Sequence, residues 1–181
     1  MARMSAIPGF SSPAASTEVP LEMLAACHGR IERQCTTLER LAEHLPTHGC
    51  DEQARQAAVA VMRYFDTAAR DHHADEEQDL FPALIEAMAG SDAVCIRELT
   101  DALRAEHRQL EALWQRLRPE LLAISQGLPH GFTHTLSQSF TQAYRAHAHK
   151  EDTELLPMAT RLLSEEQIDR VGAAMRQRRG L

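Results

Sequence analysis

The sequence predicts an all-α protein: an antiparallel up-down-up-down four-helix bundle with a disordered N-terminal tail and a short C-terminal helix. Three observations carry that expectation. Apolar residues recur at alternating steps of three and four through four long stretches, the period of a helix with one buried stripe. Short turns rich in Gly, Pro, Ser and Asp separate the stretches, which makes consecutive helices antiparallel neighbours. Eight glycines and 4% aromatic residues leave little material for a β-sandwich, whereas 44% hydrophobic residues in 181 suffice for one core.

Residues 1–16 carry Pro8-Gly9 and Ser11-Ser12-Pro13-Ala14-Ala15-Ser16 with no period, the composition of a disordered tail. The bundle is expected over 17–163. Its first helix starts at Thr17-Glu18-Val19-Pro20, with a proline tolerated in the first turn. Its seam runs Leu21, Leu24, His28, Ile31, Cys35, Leu38, Ala42, Leu45 and stops at Pro46-Thr47-His48-Gly49. The second helix begins near Asp51 with the seam Ala58, Met62, Phe65, Ala69, His72, Glu76, Leu80; Pro82 is expected to kink it, and Gly90-Ser91-Asp92 to close it. The third shows Leu99, Leu103, His107, Leu110, Trp114, Leu117 and Leu121, and the segment Gly127 to Gly131 makes the next turn. The fourth shows Leu136, Phe140, Ala143, His147, Glu151 and Leu155. Within 164–181, Ser164-Glu165-Glu166-Gln167 reads as the capping box of a short amphipathic helix.

Composition narrows the function classes. The net charge of -7, with no dense basic run before Arg176-Gln177-Arg178-Arg179, argues against nucleic acid or anionic membrane as a partner. Cys27, Cys35, Cys50 and Cys95 form no CxxC pair. With no apolar signal segment and no spanning run, a reduced, cytoplasmic setting is expected.

The ten histidines decide the chemistry. The stretch His72-His73-Ala74-Asp75-Glu76-Glu77-Gln78-Asp79-Leu80-Phe81-Pro82 is echoed 75 residues later by His147-Ala148-His149-Lys150-Glu151-Asp152-Thr153-Glu154-Leu155-Leu156-Pro157. Each copy places His and Glu four apart, on one helix face and one turn from each other. The first and third helices repeat as well, Ala26-Cys27-His28 aligning with Ala105-Glu106-His107. The chain is two hairpins, each reading His, then His-x-x-x-Glu, related by an approximate two-fold axis. At roughly 1.5 Å per residue from the turns, His28, His72, Glu76, His107, His147 and Glu151 fall in one layer of the bundle. Six buried titratable groups must satisfy one another or a cation, since each costs several kcal/mol unpaired. Four imidazoles and two carboxylates suit a pair of first-row metals, with each carboxylate able to bridge.

This layout resembles the hemerythrin and HHE cation-binding family over about residues 20–160, through His28, the His72/Glu76 pair with its Leu-Phe-Pro, His107, and the His147/Glu151 pair with its Leu-Leu-Pro. The resemblance implies two iron ions bridged by Glu76, Glu151 and a solvent-derived oxo or hydroxo group, with histidines capping the outside. Oxygen-carrying members place a second histidine one turn before the third-helix ligand, where this chain has Leu103. They also have His then Asp five residues on in the last helix, where this chain has His then Glu at four. The pattern is closer to bacterial hemerythrin-like proteins with four histidines and two glutamates.

His73 and Glu106 are two further candidates for the metal set: His73 adjoins His72, and Glu106 beside His107 fits an outer-shell or surface role better. The face of Asp66, Arg70, His73 and Glu77 is a charged stripe, so Glu77 reads as solvated surface. Tyr144, one turn before His147, fits either a packed seam or a hydrogen bond to a metal-bound oxygen. Cys27 reads as an inert buried thiol, and His44, His48, His130, His134 and His149 as surface or turn residues. The expected function is a non-haem di-iron protein that takes oxygen, peroxide or nitric oxide as its ligand in sensing or detoxification, any signal passing through a partner protein. An iron-storing, iron-donating or iron-sensing module is the alternative. A peroxidase-like enzyme is third, because no general acid or base stands out beyond the metal set.

Overall fold

The structure, a computed structural model, describes residues 19–88, 93–128 and 131–181. Every regular element among them is helical. The expected tail over 1–16, the closing Gly90-Ser91-Asp92 and part of the Gly127 to Gly131 turn lie outside the described residues.

Helix α1 (Pro20–His48) begins with its proline in the first turn and buries Leu24, His28, Ile31, Cys35, Leu38, Ala42 and Leu45, as the period requires. It ends at Gly49, whose φ of 65° is a backbone conformation that a side chain resists. The second stretch is not one helix. It comprises α2 (Glu52–Asp66), α3 (Ala68–Asp75), a π-helical turn (Glu76–Leu80) and α4 (Phe81–Ala87). The break falls at Thr67, with φ -127° and ψ -83°. Its hydroxyl donates to Arg63 O at 2.6 Å, a side-chain bond that competes with the helix ladder.

Pro82 does not end the helix. In an α-helix its ring would press on the carbonyl four residues back, that of Gln78. The backbone widens instead, and Phe81 N–H reaches five residues back to Glu76 O. The same happens in the fourth stretch, where α6 (His134–Lys150) passes through the π turn Glu151–Leu155 into α7 (Leu156–Leu162), and Leu156 N–H donates to Glu151 O. Each widened turn starts at the glutamate of its repeat. Between them lies α5 (Ala93–Ser125), which buries Leu103, His107, Leu110, Trp114, Leu117 and Leu121.

Helices α1, α2, α5 and α6 pack in a ring, α1 on α2 and α6, α5 on α2 and α6. A fifth rod, α8 (Glu165–Arg178), starts with the expected Ser164/Gln167 capping box and docks on α1 and α3. Two apolar clusters fill the ring. One holds Ile31, Phe65, Leu110, Trp114 and Phe140; the other holds Leu24, Leu80, Phe81, Leu103, Leu155 and the α8 residues Val171 and Met175. Burying a side chain of this size contributes about 1.5–3 kcal/mol. His28 lies between Leu24 and Ile31, and His107 between Leu103 and Leu110, so the polar layer sits where the clusters meet.

Candidate metal centre

All six residues singled out by the repeat come together there. His72, Glu76 and Glu151 are fully buried, and His28, His107 and His147 nearly so. Glu151 is the hub: its Oε2 lies 3.0 Å from His28 Nε2, and its Oε1 3.0 Å from His147 Nε2 and 3.7 Å from His107 Nε2. Glu76 is approached less closely, with His107 Nε2 at 3.3 Å and His72 Nε2 at 3.6 Å. His107 and His147 face each other through Nε2 at 3.1 Å.

The outer ring nitrogens point away from the layer, and three of the four meet a carboxylate. His28 Nδ1 is 2.7 Å from Asp152, His107 Nδ1 is 2.7 Å from Glu77, and His147 Nδ1 is 2.9 Å from Glu106. A carboxylate there takes the Nδ1 proton, so that Nε2 turns a lone pair inward once it gives up its own proton, as metal-ligating histidines require. Glu77 is therefore not the solvated surface residue that its charged stripe suggests. Asp152 escaped the sequence reading altogether. The signal was present, because the repeat aligns Glu76-Glu77 with Glu151-Asp152, an acid pair in both copies. Glu106 holds the outer edge of His147 and also takes Lys150 Nζ at 2.8 Å.

Burial and proximity divide the charges unevenly. Burial would push His28 down, but Glu151 and Asp152 outweigh it and raise it to about 9. Burial likewise opposes the charge on His107, yet Glu151, Glu76 and Glu77 raise it to about 10. His72 has no such help, and burial drives it down to about 3. Burial, reinforced by the charge of Glu151, lifts Glu76 to about 7. Glu151, also buried, is held well below the usual carboxylate range by His107, His147 and His28. The metal-free layer thus balances carboxylate charge with imidazolium protons.

That balance is incomplete. Both nitrogens of His72, both oxygens of Glu76 and Oε1 of Glu151 are buried without a hydrogen-bond partner. Each such atom costs about 1–3 kcal/mol when left unsatisfied. Four of the five sit at the centre of the layer beside other inward-facing donors of electron pairs, the arrangement a cation satisfies. Two overlapping groups bring one donor atom per residue within 4.8 Å of one another: His28, His72, Glu76 and Glu151, and Glu76, His107, His147 and Glu151. Nitrogen and oxygen donors in that ratio fit first-row transition metals.

His73 stacks on His107, ring centroids 3.9 Å apart and planes 16° apart, and its Nε2 lies 3.5 Å from the Tyr144 hydroxyl. It also forms a third close group with His107 and His147. Tyr144 is buried in the seam against Phe65 and Phe140. Leu103 is fully buried and packs in the apolar cluster, bringing no donor to the layer. His44 pairs with Asp51 and stacks on His48, away from the layer. Two clefts of about 330 Å³ reach the outer edges of the site. They are repeat-equivalent: His107, Glu77 and Arg70 line one, and His28, Asp152 and Arg145 the other.

No helix among the described residues is long and apolar enough to cross a membrane. A protein of Haemophilus influenzae (strain ATCC 51907 / DSM 11121 / KW20 / Rd), itself uncharacterized, is 31% identical over 160 residues, covering 88% of this chain and 90% of its own length. The family described as the hemerythrin HHE cation binding domain matches residues 19–159, the stretch that contains all six layer residues and all three outer carboxylates. By that match, and by a layer of inward-facing imidazoles and carboxylates built twice over, the chain belongs to the hemerythrin HHE cation-binding domain family.

Proposed function

We propose that the protein is a non-haem di-iron protein that binds or reacts with oxygen, peroxide or nitric oxide in sensing or detoxification. The observation that carries this reading is the doubled donor set with its orphaned buried atoms on His72, Glu76 and Glu151. His28 and His72 would hold one iron, His107 and His147 the other, with Glu76 and Glu151 shared between them. When bound, an iron pair supplies redox electrons and an open coordination position.

The chain's own residues do the rest. Asp152, Glu77 and Glu106 orient the rings of His28, His107 and His147. The apolar clusters above and below exclude water and strengthen every electrostatic contact in the layer. Leu103 leaves the second half one imidazole short of the oxygen carriers, which favours reaction with a small molecule over its storage. The bundle over 17–163 would run up-down-up-down, so that alternate helices deliver His and His-x-x-x-Glu to one height. Four unpaired thiols support a reducing cytoplasmic setting.

Metal analysis with an optical spectrum of the air-exposed protein tests the proposal. About two irons per chain are expected from the two donor groups. One tightly held zinc, preferred over iron, would sink it. His72→Ala should lose at least one metal, because it removes a fully buried donor. His73→Ala should keep most of the metal; equal loss from both would make His73 a ligand.

The second reading is iron storage, donation or sensing without turnover. The clefts at the outer edges of His28 and His107 favour it, since only a single imidazole ring separates each from the layer. Colourless metal that a chelator strips within minutes would decide for it.

A further inference from the structure

We propose that the C-terminal helix α8 is a clamp on the first ligand-bearing turn, with Arg178 as the positioning residue for Glu76. The proposal rests on the metal reading above for its consequence, though not for its mechanics.

Asp75 immediately precedes Glu76 and is fully buried. A buried carboxylate needs charged partners, and both of its partners come from the end of α8. Arg178 donates through Nη1 to Asp75 Oδ1; Arg179 donates through Nη1 to the same oxygen at 3.1 Å and through Nη2 to Oδ2 at 2.6 Å. Arg178 then reaches further along the same turn, from Nη2 to Asp79 Oδ2 at 2.8 Å and to Gln78 Oε1 at 3.2 Å. One guanidinium thus ties residues 75, 78 and 79 together, bracketing Glu76 within the π turn. Its planar fork suits three acceptors at once in a way an ammonium cannot.

The second copy has nothing of the kind. Asp75 aligns with Lys150, which turns to Glu106 instead, and the π turn Glu151–Leu155 carries no arginine clamp among the described residues. Glu151 lies 3.0 Å from both His28 Nε2 and His147 Nε2, whereas His107 and His72 approach Glu76 only to 3.3 and 3.6 Å and neither of its oxygens accepts a hydrogen bond. The clamp holds the turn that carries the more loosely held carboxylate. Val171 and Met175 anchor α8 in the apolar cluster independently of the arginines, and Arg170 pairs with Glu86 at 3.1 Å without touching the turn.

Two measurements on the full chain test this. On the metal-free protein, amide hydrogen exchange in Arg178→Gln should rise severalfold across residues 76–80 and stay unchanged across 151–155. With iron, chelator competition should show about a 10–100-fold loss of affinity, the scale for a residue that orients a ligand from outside. Arg178→Lys should restore part of both effects, and Arg170→Gln should change neither. Should Arg178→Gln not fold, Asp79→Asn loosens the same turn while leaving Asp75 paired, and the same pattern is expected at smaller size. Wild-type exchange and wild-type affinity in these variants would overturn the clamp while leaving the metal reading intact. A wild-type chain that takes up no metal would remove the consequence for binding, and the exchange data would still judge the mechanics.

Discussion

The two halves of the polar layer descend from the same pattern and are held in different ways. In both, the first-helix histidine gives its outer nitrogen to an acid of the other hairpin, His28 to Asp152 and His107 to Glu77, and those acids are repeat-equivalent. The halves part at the second histidine. His147 rests on Glu106, but the position equivalent to Glu106 is Cys27, and His72 Nδ1 has no hydrogen-bond partner. Glu151 has two imidazole nitrogens at 3.0 Å, whereas those nearest Glu76 stand off at 3.3 and 3.6 Å and it accepts no hydrogen bond. One half is internally braced. The other depends on burial, on α8 and on whatever cation the layer receives. A single substitution in a repeat can therefore move a site's support from inside the layer to its periphery.

The sharpest way to break this comparison is to remove each glutamate from the metal-free protein. Glu151→Gln should cost about 3–5 kcal/mol in urea unfolding, because it strands buried imidazolium partners. Glu76→Gln should cost less, about 1 kcal/mol, since its contacts with His107 and His72 are longer and an amide of the same shape is gained. Equal costs would mean that the two carboxylates carry equal loads.

Next in size are the outer acids. Asp152→Asn, Glu77→Gln and Glu106→Gln should each lower metal affinity about 10–100-fold by chelator competition. Cys27→Ala, the matching position in the braced-from-outside half, should leave affinity unchanged. A loss there would show that the thiol supports His72 after all.

A smaller effect sharpens the charge difference. His28 and His107, raised to about 9 and about 10, are protonated in the metal-free protein at pH 7, whereas His72, lowered to about 3, is neutral. Metal requires neutral imidazoles, so binding at pH 7 should release protons, and affinity should climb from pH 6 to about pH 10, where the release fades. Titration in buffers of different ionisation enthalpy measures the proton count. A pH-independent affinity would contradict the uneven protonation.

The least effect concerns the thiols. Burial raises Cys27, and raises Cys35 to about 12, so neither should react with a thiol reagent until the chain unfolds. Exposed Cys95 and half-buried Cys50 should react in the native protein. Fast labelling of Cys27 would mean that the layer beside it is open.

The six layer residues were legible because a duplicated spacing leaves one consistent face. The outer acids were half legible: Glu77 was misjudged because a neighbouring charged stripe outweighed its place in the repeat. Periodicity could not foresee the break at Thr67 or the widened turns, since a π turn keeps its residues helical while adding one to the count. The Asp75 clamp was out of reach, because it joins residues 103 and 104 positions apart and no local pattern names a partner at that distance.

Sequence distance also governs when the layer can exist. His28 meets Asp152 across 124 positions and Glu151 across 123, and Asp75 waits for Arg178 and Arg179 at the far end of the chain. Contacts of such long separation close late, after the loop between them has been given up. During synthesis the first hairpin emerges with His28, His72 and Glu76 but with neither carboxylate partner of His28 yet made. On the proposed metal reading, competence to hold a cation arrives with the last helices, and a nascent or prematurely ended chain offers it only a fragment of the layer. For the metal proposed above, the order of the residues would make the finished fold itself the checkpoint for loading.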